Sequence, residues 1–159
     1  MNVETNEKLK QKAKRFIENK SVCVIATCSE NKPRASTVNY VADGFTLFIV
    51  TSSKSTKIKN IKINPNVSIA IDDQGRKERI GSQTEEIAEI LSGLEAEKAR
   101  KFYSQKRDIS HHKPELVDTT LKIQLKEVMF SDYTKIKEGL KVYKFKVNKQ
   151  QKANVVLFC

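Results

Sequence analysis

The stretch ASTVNYVADGFTLFIVT, residues 35–51, decides the fold class, because it contains two β-prone runs separated by Asp43-Gly44. Glycine tolerates the positive φ that a two-residue turn requires, so this stretch predicts a β-hairpin. With Asp43-Gly44 as the turn, each residue of one run has a defined partner in the other. The predicted pairs are Ala42 with Phe45, Tyr40 with Leu47, Val38 with Ile49 and Ser36 with Thr51.

The two faces of this hairpin differ in polarity. The face that carries Tyr40, Leu47 and Ile49 is largely apolar and belongs to the interior of a barrel or sandwich. The other face mixes apolar and polar side chains, which indicates that something covers it. Its residues are Ala35, Thr37, Asn39, Val41, Thr46, Phe48 and Val50. The cover is either a ligand or another subunit, or it is a second layer of the same chain; the sequence leaves both open.

Helical and strand patterns flank the hairpin. Residues 4–18 predict an amphipathic helix packed on the core, with a membrane-surface or partner-binding helix as the alternative. Helices are also predicted after Ser55 and over 93–106, with the buried side of the latter at Leu94, Ala99, Phe102 and Tyr103. Strands are predicted at 21–28, 66–72, 121–130, 141–147 and 153–159, whereas 84–93 fits both periods. This order predicts an antiparallel barrel or sandwich with helical decoration.

Composition restricts the class of protein further. At 159 residues the chain fits one domain, 1–159, and no apolar run approaches the roughly 20 residues that span a bilayer. We therefore expect a cytoplasmic protein that is not inserted in a membrane. The net charge of +11 predicts attraction to anions such as nucleic acid, phosphorylated small molecules or acidic membranes.

The cysteines and histidines give no metal site. Cys23 and Cys28 fall on opposite faces of one predicted strand, and together with Cys159 they are expected to be reduced thiols. His111-His112 is the only histidine cluster, and it lacks the further ligands that zinc requires. The sequence also lacks a Walker loop, a GxGxxG fingerprint and an HExxH pair.

The remaining polar residues suggest an anion site. The predicted register places Ser36 opposite Thr51, so Arg34 comes close to the following loop and converges with Lys57. Arginine offers phosphate a planar fork and lysine a mobile point charge. A helix that begins after Ser55 also presents free backbone N–H groups to an anion. Further hydroxyl groups belong to Thr37, Ser53 and Thr56.

One continuous stretch of the chain resembles a known protein family. The stretch NKPRASTVNYVADGFTLFIVTSSKSTKIKNIKINPNVSIAI, residues 31–71, contains an Arg-led strand, a DG hairpin, a strand ending in Thr, Ser/Lys residues and a helix ending in NPxVS. This order resembles the FMN-binding split β-barrel proteins related to pyridoxamine 5'-phosphate oxidase, and the similarity covers residues 21–72. The resemblance implies a mainly β (α+β) antiparallel split β-barrel with an N-terminal helix and two or three peripheral helices. It also implies a homodimer with FMN at the subunit interface.

The resemblance assigns cofactor-binding residues by position. The strand that contacts the phosphate and isoalloxazine corresponds to Arg34, Ala35, Ser36, Thr37, Val38 and Asn39. The end of the second strand corresponds to Val50 and Thr51. Ser53 and Ser55 join the candidate cofactor-binding residues from the anion-site reading, as hydroxyl groups of the segment from Ser53 to Lys57. The basic phosphate pair falls on Thr56 and Lys57. Thr56 stands where the vitamin B6 enzyme usually has Arg, which makes phosphate binding more dependent on Arg34, Lys57 and the hydroxyl groups.

A second departure concerns the substrate. The B6 oxidase has C-terminal tryptophans and an Arg-Leu-x-Pro-type ending, whereas this chain has no Trp and ends YKFKVNKQQKANVVLFC. We therefore expect a protein that is not a true pyridoxamine phosphate oxidase. Flavin reductases, deazaflavin-dependent reductases and haem-utilisation proteins also belong to this superfamily, and no residue of the chain selects among them.

Three functional hypotheses remain. The first is an FMN-dependent oxidoreductase, in which the cofactor carries the redox chemistry and no side chain need act as a nucleophile. The second is a basic β-barrel that binds nucleic acid; the aromatic content of 7%, without a stacking row, argues against it. The third is a non-catalytic protein that binds flavin or haem, and deazaflavin is a further alternative to FMN.

Overall fold

The computed structural model describes residues 3–73, 80–133, 140–147 and 154–158. Its helices are α1 (Val3–Asn19), α2 (Thr56–Ile63), α3 (Gly93–Lys106) and a 3-10 turn at Pro114–Leu116. Its strands are β1 (Val22–Ser29), β2 (Lys32–Asn39), β3 (Val41–Asp43), β4 (Thr46–Thr51), β5 (Asn66–Asp72), β6 (Ile80–Ile90), β7 (Thr119–Gln124), β8 (Glu127–Asp132), β9 (Leu140–Lys146) and β10 (Asn154–Phe158). No helix in this part of the chain is long and apolar enough to cross a membrane.

The strands form a curled antiparallel half-barrel with two connected parts. One path of hydrogen-bonded strands runs β10, β9, β8, β6, β5, β1, β2, while β4 pairs with β3 and β7, and β7 returns to β6. β6 belongs to both parts, because residues 80–83 pair with β8 and residues 88–90 pair with β7. The predicted mainly β split barrel with flanking helices is confirmed.

β6 occupies the segment whose sequence fits both helix and strand. Its side chains alternate, with Thr84, Glu86 and Ala88 buried and the intervening residues exposed. Ile87, which contributed to the helical spacing, is 56% exposed. The buried carboxylate of Glu86 accepts hydrogen bonds from the backbone N–H groups of Lys126 (2.5 Å) and Glu127 (3.2 Å), where β7 passes into β8. The strand is therefore fixed by period-two burial and by a satisfied buried charge.

α1 covers one side of the core as predicted. Ala13, Phe16 and Ile17 are buried at helical spacing, and each large apolar side chain removed from water contributes about 1.5–3 kcal/mol. The hydroxyl of Tyr40 donates to the carbonyl of Ile17 at 2.7 Å, so the helix is also attached to the end of β2. The packing and this buried hydrogen bond together fix how α1 lies on the barrel.

The predicted register of the Asp43-Gly44 hairpin is wrong by two residues. Ala42 lies opposite Leu47 and Asp43 opposite Thr46, so the turn residues are Gly44 and Phe45. Gly44 adopts φ +58°, and its N–H donates to a carboxylate oxygen of Glu18 on α1 at 2.8 Å. The turn thus lies one position further along the chain than predicted, at a residue that is bound to α1. Because the shift is even, the apolar face still points into the core.

The long hairpin arm predicted for residues 35–42 is also interrupted. The backbone N–H of Tyr40 donates to Ser21, and β2 pairs along its whole length with β1 instead of β4. Ser36 therefore lies opposite Ile25, and Val38 lies opposite Cys23; the predicted pairs Ser36–Thr51 and Val38–Ile49 are not formed. Tyr40 is the residue at which the chain leaves one part of the barrel for the other.

α3 begins and ends where the sequence predicts. Ala99 and Tyr103 are buried, as expected, and the ring of Phe102 lies edge-on to Phe48 of β4 with the centroids 5.7 Å apart. Leu94, also predicted to be buried, is 63% exposed, because it precedes the part of the helix that touches β4 and β7. α3 thus covers the outer side of these two strands.

Candidate functional site

The candidate site begins where β4 ends and α2 starts. Ser55 occupies the N-cap position of α2 with extended dihedral angles, but its side chain makes no capping hydrogen bond. Its hydroxyl oxygen is buried and has no hydrogen-bond partner among the described residues. The first turn of α2 contains no acidic residue. A buried hydroxyl without a partner is costly, so this position is suited to a group supplied from outside the chain.

Lys57 lies in the first turn of α2 and is partly buried. Its ammonium nitrogen donates to the hydroxyl of Thr51 at 3.3 Å, and burial lowers the pKa of Lys57 below the usual 10.5. No carboxylate of the described residues lies within ion-pair distance of it. A half-buried cation without a counter-ion favours an incoming anion.

Arg34 and Ala35 of β2 line one cavity together with Thr56 of α2. Arg34 therefore lies near the start of α2, although the register predicted to bring it there is not formed. Its predicted convergence with Lys57, which does not line this cavity, stays a prediction. Arg34 and α2 come together because both elements contact β1: β2 pairs with β1, and α2 packs on it. The cavity has a volume of about 450 Å³. Its remaining walls come from the β1–β2 turn and from Asn60 of α2.

Ser53, in the loop before α2, is bound by Asp118. The backbone N–H and the hydroxyl of Ser53 donate to the two carboxylate oxygens of Asp118, at 2.6 and 2.7 Å. These hydrogen bonds lower the pKa of Asp118 below its usual value. Asp118 lies 65 residues along the chain from Ser53, and no sequence signal connects the two. It holds the loop between β4 and α2 without touching Lys57.

The other predicted cofactor residues follow β2 away from Arg34. Thr37 is exposed and lies opposite Val24, whereas Val38 packs against the core and Ser36 is half-buried. Asn39, at the far end, lies about 16 Å along the strand from Arg34, at roughly 3.3 Å per residue. Its side-chain oxygen accepts a hydrogen bond from the guanidinium of Arg107 at 2.9 Å. Because their separation along the strand is odd, Arg34 and Asn39 point to opposite faces of β2.

Val50 and Thr51, predicted at the end of the second strand, lie opposite Thr120 and Thr119 of β7. Both are half-buried, and α3 packs over the same side of β4. The hairpin face that mixes polar and apolar residues is thus only partly covered by the chain itself. A second layer of the chain covers the β4 part, whereas Ala35, Thr37 and Asn39 of β2 are exposed.

Two cysteines lie near the candidate site on β1. Cys23 is buried, and burial raises its pKa to about 12, whereas Cys28 is half-exposed on the other face. Both are free thiols. A thiol with so high a pKa is a poor nucleophile at neutral pH, so Cys23 is a core residue. Cys159 lies outside the described residues.

Comparison with known proteins identifies the family. Residues 9–128 match the sequence profile described as pyridoxamine 5'-phosphate oxidase, a range that contains every candidate site residue. The chain belongs to the pyridoxamine 5'-phosphate oxidase-like family. No curated protein sequence matches it.

Solved structures from this fold group share the architecture at low identity. A protein related to general stress protein 26, of the pyridoxinephosphate oxidase family, from Clostridium acetobutylicum is 17% identical, with a TM-score of 0.66 over 91% of this chain and 99% of that one. A FAD-binding protein from Mesorhizobium loti is 16% identical, with a TM-score of 0.63 over 76% and 91%. A haem-binding protein from Mycobacterium smegmatis is 19% identical, with a TM-score of 0.69 over 86% and 57%. At such identities the likeness shows the fold alone.

Two residues of this pyridoxamine 5'-phosphate oxidase-like chain escaped sequence reasoning. Asp118 holds the loop through Ser53, and Arg107 binds the amide oxygen of Asn39. Both contacts join the site to segments more than 60 residues away, and both depend on how α3 and β7 pack against the barrel. Arg107 follows the last turn of a correctly predicted helix, so its position beside β2 is a tertiary property.

Proposed function

We propose that this protein is an FMN-binding flavoprotein of the pyridoxamine 5'-phosphate oxidase-like family that acts as an oxidoreductase other than pyridoxamine phosphate oxidase. The observation that carries the proposal is the start of α2, where Lys57 has no carboxylate counter-ion among the described residues and the buried Ser55 hydroxyl has no partner there. Both groups are suited to a phosphate, which accepts hydrogen bonds and carries negative charge.

The residues at this end of the site fit a phosphate group. Arg34 supplies a planar donor fork, Lys57 a mobile charge, and Ser55 and Thr56 hydroxyl groups. The first backbone N–H groups of α2 add donors without an acidic neighbour in that turn. Phosphate binding would compensate the burial of Lys57, because the ammonium gains a counter-ion in the place where solvent is partly excluded.

The residues further along β2 fit the organic part of such a cofactor. Thr37 and Asn39 present polar atoms on the exposed side of the strand. Bound FMN would supply hydride or electron transfer, and the chain would supply binding, orientation and exclusion of water. Arg107 restrains the Asn39 amide through its hydrogen bond to the amide oxygen, so the amide N–H₂ is directed elsewhere.

We further propose a homodimer in which a second copy covers the outer side of β2. Cross-strand pairing places Thr37, Val24, Ala70, Gln83 and Met129 in one row across five strands of this outer face. Val24 is 38% exposed and Met129 37% exposed. These two exposed apolar side chains, in a row that also contains Thr37 and Gln83, favour association. A partner seated there would cover Thr37 and therefore one side of the proposed cofactor site.

An absorbance spectrum and a flavin titration test the cofactor assignment. We expect the purified protein to be yellow, or the apoprotein to bind FMN at least tenfold more tightly than riboflavin, because only FMN carries the phosphate. NAD(P)H-dependent reduction of the bound flavin would then support turnover. Absence of flavin binding at high micromolar concentration contradicts the proposal, and a haem spectrum or salt-dependent oligonucleotide binding would replace it with one of the alternatives.

Sedimentation of the Val24→Lys variant tests the dimer separately. Placing a charge in the middle of the row should produce monomers, because an unpaired ammonium would be buried in the interface. Ile63→Lys is a matched control, since Ile63 is 69% exposed on α2 and lies outside this row. A wild-type monomer at tens of micromolar protein and saturating FMN would contradict the proposed dimer without affecting the cofactor assignment.

A further inference from the structure

We infer that the free edge of β2 binds an extended peptide segment of another protein as an additional antiparallel strand, and that this segment carries acidic residues at its ends. The inference goes beyond the proposed function, because it concerns the main-chain groups along the edge of β2 and not the phosphate-binding side chains. β2 lies at the end of its path of strands, and among the described strands it is hydrogen-bonded to β1 alone. β4 contacts β2 but forms no ladder with it.

The turn between β1 and β2 determines which main-chain groups face this edge. It has two residues, both with positive φ, so Ser29 and Lys32 form the first hydrogen-bonded pair of the ladder. Hydrogen-bonded and non-hydrogen-bonded pairs alternate along an antiparallel ladder. The even-numbered residues of β2 therefore bond to β1. The backbone N–H of Tyr40 continues this series, because it donates to the carbonyl of Ser21 at 2.9 Å.

The odd-numbered residues of β2 direct their N–H and C=O groups away from β1. These residues are Pro33, Ala35, Thr37 and Asn39, and all four are exposed. Pro33 has no N–H to donate, and an edge strand tolerates proline where the missing N–H would face solvent. Within the described part of the chain, no group is hydrogen-bonded to the backbone of Ala35 or Thr37 on this side. The edge therefore presents donors and acceptors at the spacing of a β-ladder.

The two halves of this edge differ in their protection against pairing. Edge strands commonly carry lysine, arginine or proline, which discourage the addition of another chain. The first half of β2 has all three, at Lys32, Pro33 and Arg34. The second half, ASTVN at 35–39, has neither charge nor proline, and two of its residues are β-branched. The second half is therefore open to strand addition, in which main-chain hydrogen bonds supply the affinity for a peptide.

Cationic side chains stand at both ends of this open segment. Arg34 precedes it, and the guanidinium of Arg107 lies at its last residue, 2.9 Å from the side-chain oxygen of Asn39. Lys32 adds a charge before Arg34, opposed by Glu30, whose carboxylate lies 3.9 Å from its ammonium. Lys32 and Glu30 are 84% and 78% exposed, so each has a modest influence. These charges complement a segment with uncharged residues in its middle and acidic residues at its ends.

A second copy of the chain fits this edge less well than such a peptide. Antiparallel pairing of two β2 edges around Thr37 would place Ala35 opposite the partner's Asn39. Each end of the new ladder would then combine Arg34 of one copy with the partner's Arg107, and no acidic residue of the edge would separate the two cations. Like charges brought together across a ladder are destabilising. An acidic peptide meets the same cations with opposite charge.

Amide exchange of the protein as purified, with and without a synthetic peptide, tests the inference. In the free protein, the N–H groups of Ala35 and Thr37 should exchange rapidly, whereas those of Ser36 and Val38, bonded to β1, should exchange slowly. The peptide Glu-Val-Thr-Val-Thr-Val-Glu should bind with a Kd in the micromolar range and slow both edge amides. The same peptide N-methylated at its middle residues keeps its charge but cannot donate to a ladder, so it should bind about tenfold more weakly.

Two proline variants test the alternation of the ladder. Ala35→Pro removes an N–H that faces the free edge, so it should weaken peptide binding by about tenfold and leave the thermal melt almost unchanged. Ser36→Pro removes an N–H bonded to β1 and should lower the melting temperature clearly. If Ala35→Pro destabilises the protein as much as Ser36→Pro does, the N–H of Ala35 is already bonded in the free protein, and the inference is wrong.

A pair of charge reversals tests the acidic ends. Lys32→Glu should weaken binding of the acidic peptide by about two- to fivefold, as is typical of an exposed charge. Lys62→Glu is the matched control, because it changes the net charge equally at an exposed position of α2. Equal weakening by both variants would mean that the peptide responds to the net charge of the protein and not to this edge, which contradicts the inference.

Three further outcomes overturn the inference. Slow exchange of Ala35 and Thr37 in the free protein would show that the edge is already covered. If that protection disappears on dilution to the monomer, the occupant is a second copy and not a peptide. Equal binding of the N-methylated peptide would show electrostatic attraction without a ladder. None of these measurements involves a flavin, so each result leaves the proposed cofactor assignment to its own test.

Discussion

The lysines of α1 and those of α2 have different electrostatic environments although both helices are rich in the residue. Lys12 of α1 lies 2.8 Å from a carboxylate oxygen of Asp132, and Lys20, directly after α1, lies 3.0 Å from one of Asp73. On α2, Lys57, Lys59 and Lys62 have no carboxylate within ion-pair distance among the described residues. Lysine content therefore does not reveal which helix is available to bind an anion.

The difference originates in the strands on which each helix packs. α1 lies beside the ends of β5 and β8, where Asp73 and Asp132 are located. α2 packs on β1, whose sequence VCVIATCS contains no acidic residue. Lys12 and Lys20 are thus paired with carboxylates of the chain, whereas the lysines at the start of α2 remain available to a ligand.

Removing Lys57 should produce the largest change. Lys57→Ala deletes the half-buried cation, and a charge-assisted hydrogen bond is worth about 1.5–3 kcal/mol, so FMN affinity should fall roughly ten- to hundredfold. Fluorescence titration measures this, with Lys59→Ala as the matched α2 control. An unchanged FMN affinity in Lys57→Ala would show that the phosphate binds elsewhere.

Removing Lys20 should affect stability and not binding. The side chain of Asp73 is only 4% exposed, so Lys20→Ala removes an ion-pair partner from a buried carboxylate. We expect the free energy of unfolding to fall by about 1–3 kcal/mol, measured by urea denaturation at pH 7. For a domain of this size each kcal/mol lowers Tm by about 2–4 °C. If Lys20→Ala lost FMN affinity and kept its stability, Lys20 would belong to the anion site and would not be a structural ion-pair partner.

Raising the pH should weaken FMN binding through Lys57. Because burial lowers its pKa, the ammonium loses its proton as the pH rises through that lowered value, below the usual 10.5. The attraction for phosphate is fully present at lower pH and disappears across this window. Titrations between pH 7 and 10.5 should therefore show a decline of several-fold. Lys57→Arg is the control, since arginine stays charged throughout and the decline should vanish.

Releasing the loop before α2 should have the smallest effect. Asp118→Asn replaces an ionised acceptor of the two Ser53 hydrogen bonds by a neutral amide. The residue is exposed, so FMN affinity should change by no more than about two- to threefold. Amide exchange of Ser53 in the apoprotein should nevertheless accelerate. Slow exchange of Ser53 in this variant would mean that Asp118 does not hold the loop.

The spacing of apolar residues predicted these helices and strands because the buried side chains of this chain recur at the period of the element they belong to. β5 occupies residues 66–72 and α3 residues 93–106, as expected, since their apolar residues recur at spacings of two and of about 3.6. The α2 residues Ile58 and Ile61 are buried as predicted.

The features that sequence reasoning missed depend on contacts between distant segments. The N–H of Gly44 in the shifted turn binds Glu18, and the hydroxyl of Tyr40, where the chain leaves β2, binds the carbonyl of Ile17. The Ser53–Asp118 and Asn39–Arg107 contacts likewise join separate elements. In each case the sequence shows which hydrogen-bonding side chains are present, whereas tertiary packing determines which of them bind to one another.

The pairing of β6 with three other strands also has a consequence for how the protein unfolds. Because β6 is hydrogen-bonded to β5, β7 and β8, neither part of the barrel can detach while the other remains ordered. Its central amides should exchange with solvent only through global opening of the domain. Exchange at these positions therefore measures the stability of the whole protein, and a ligand bound some distance away should slow all of them by a single common factor.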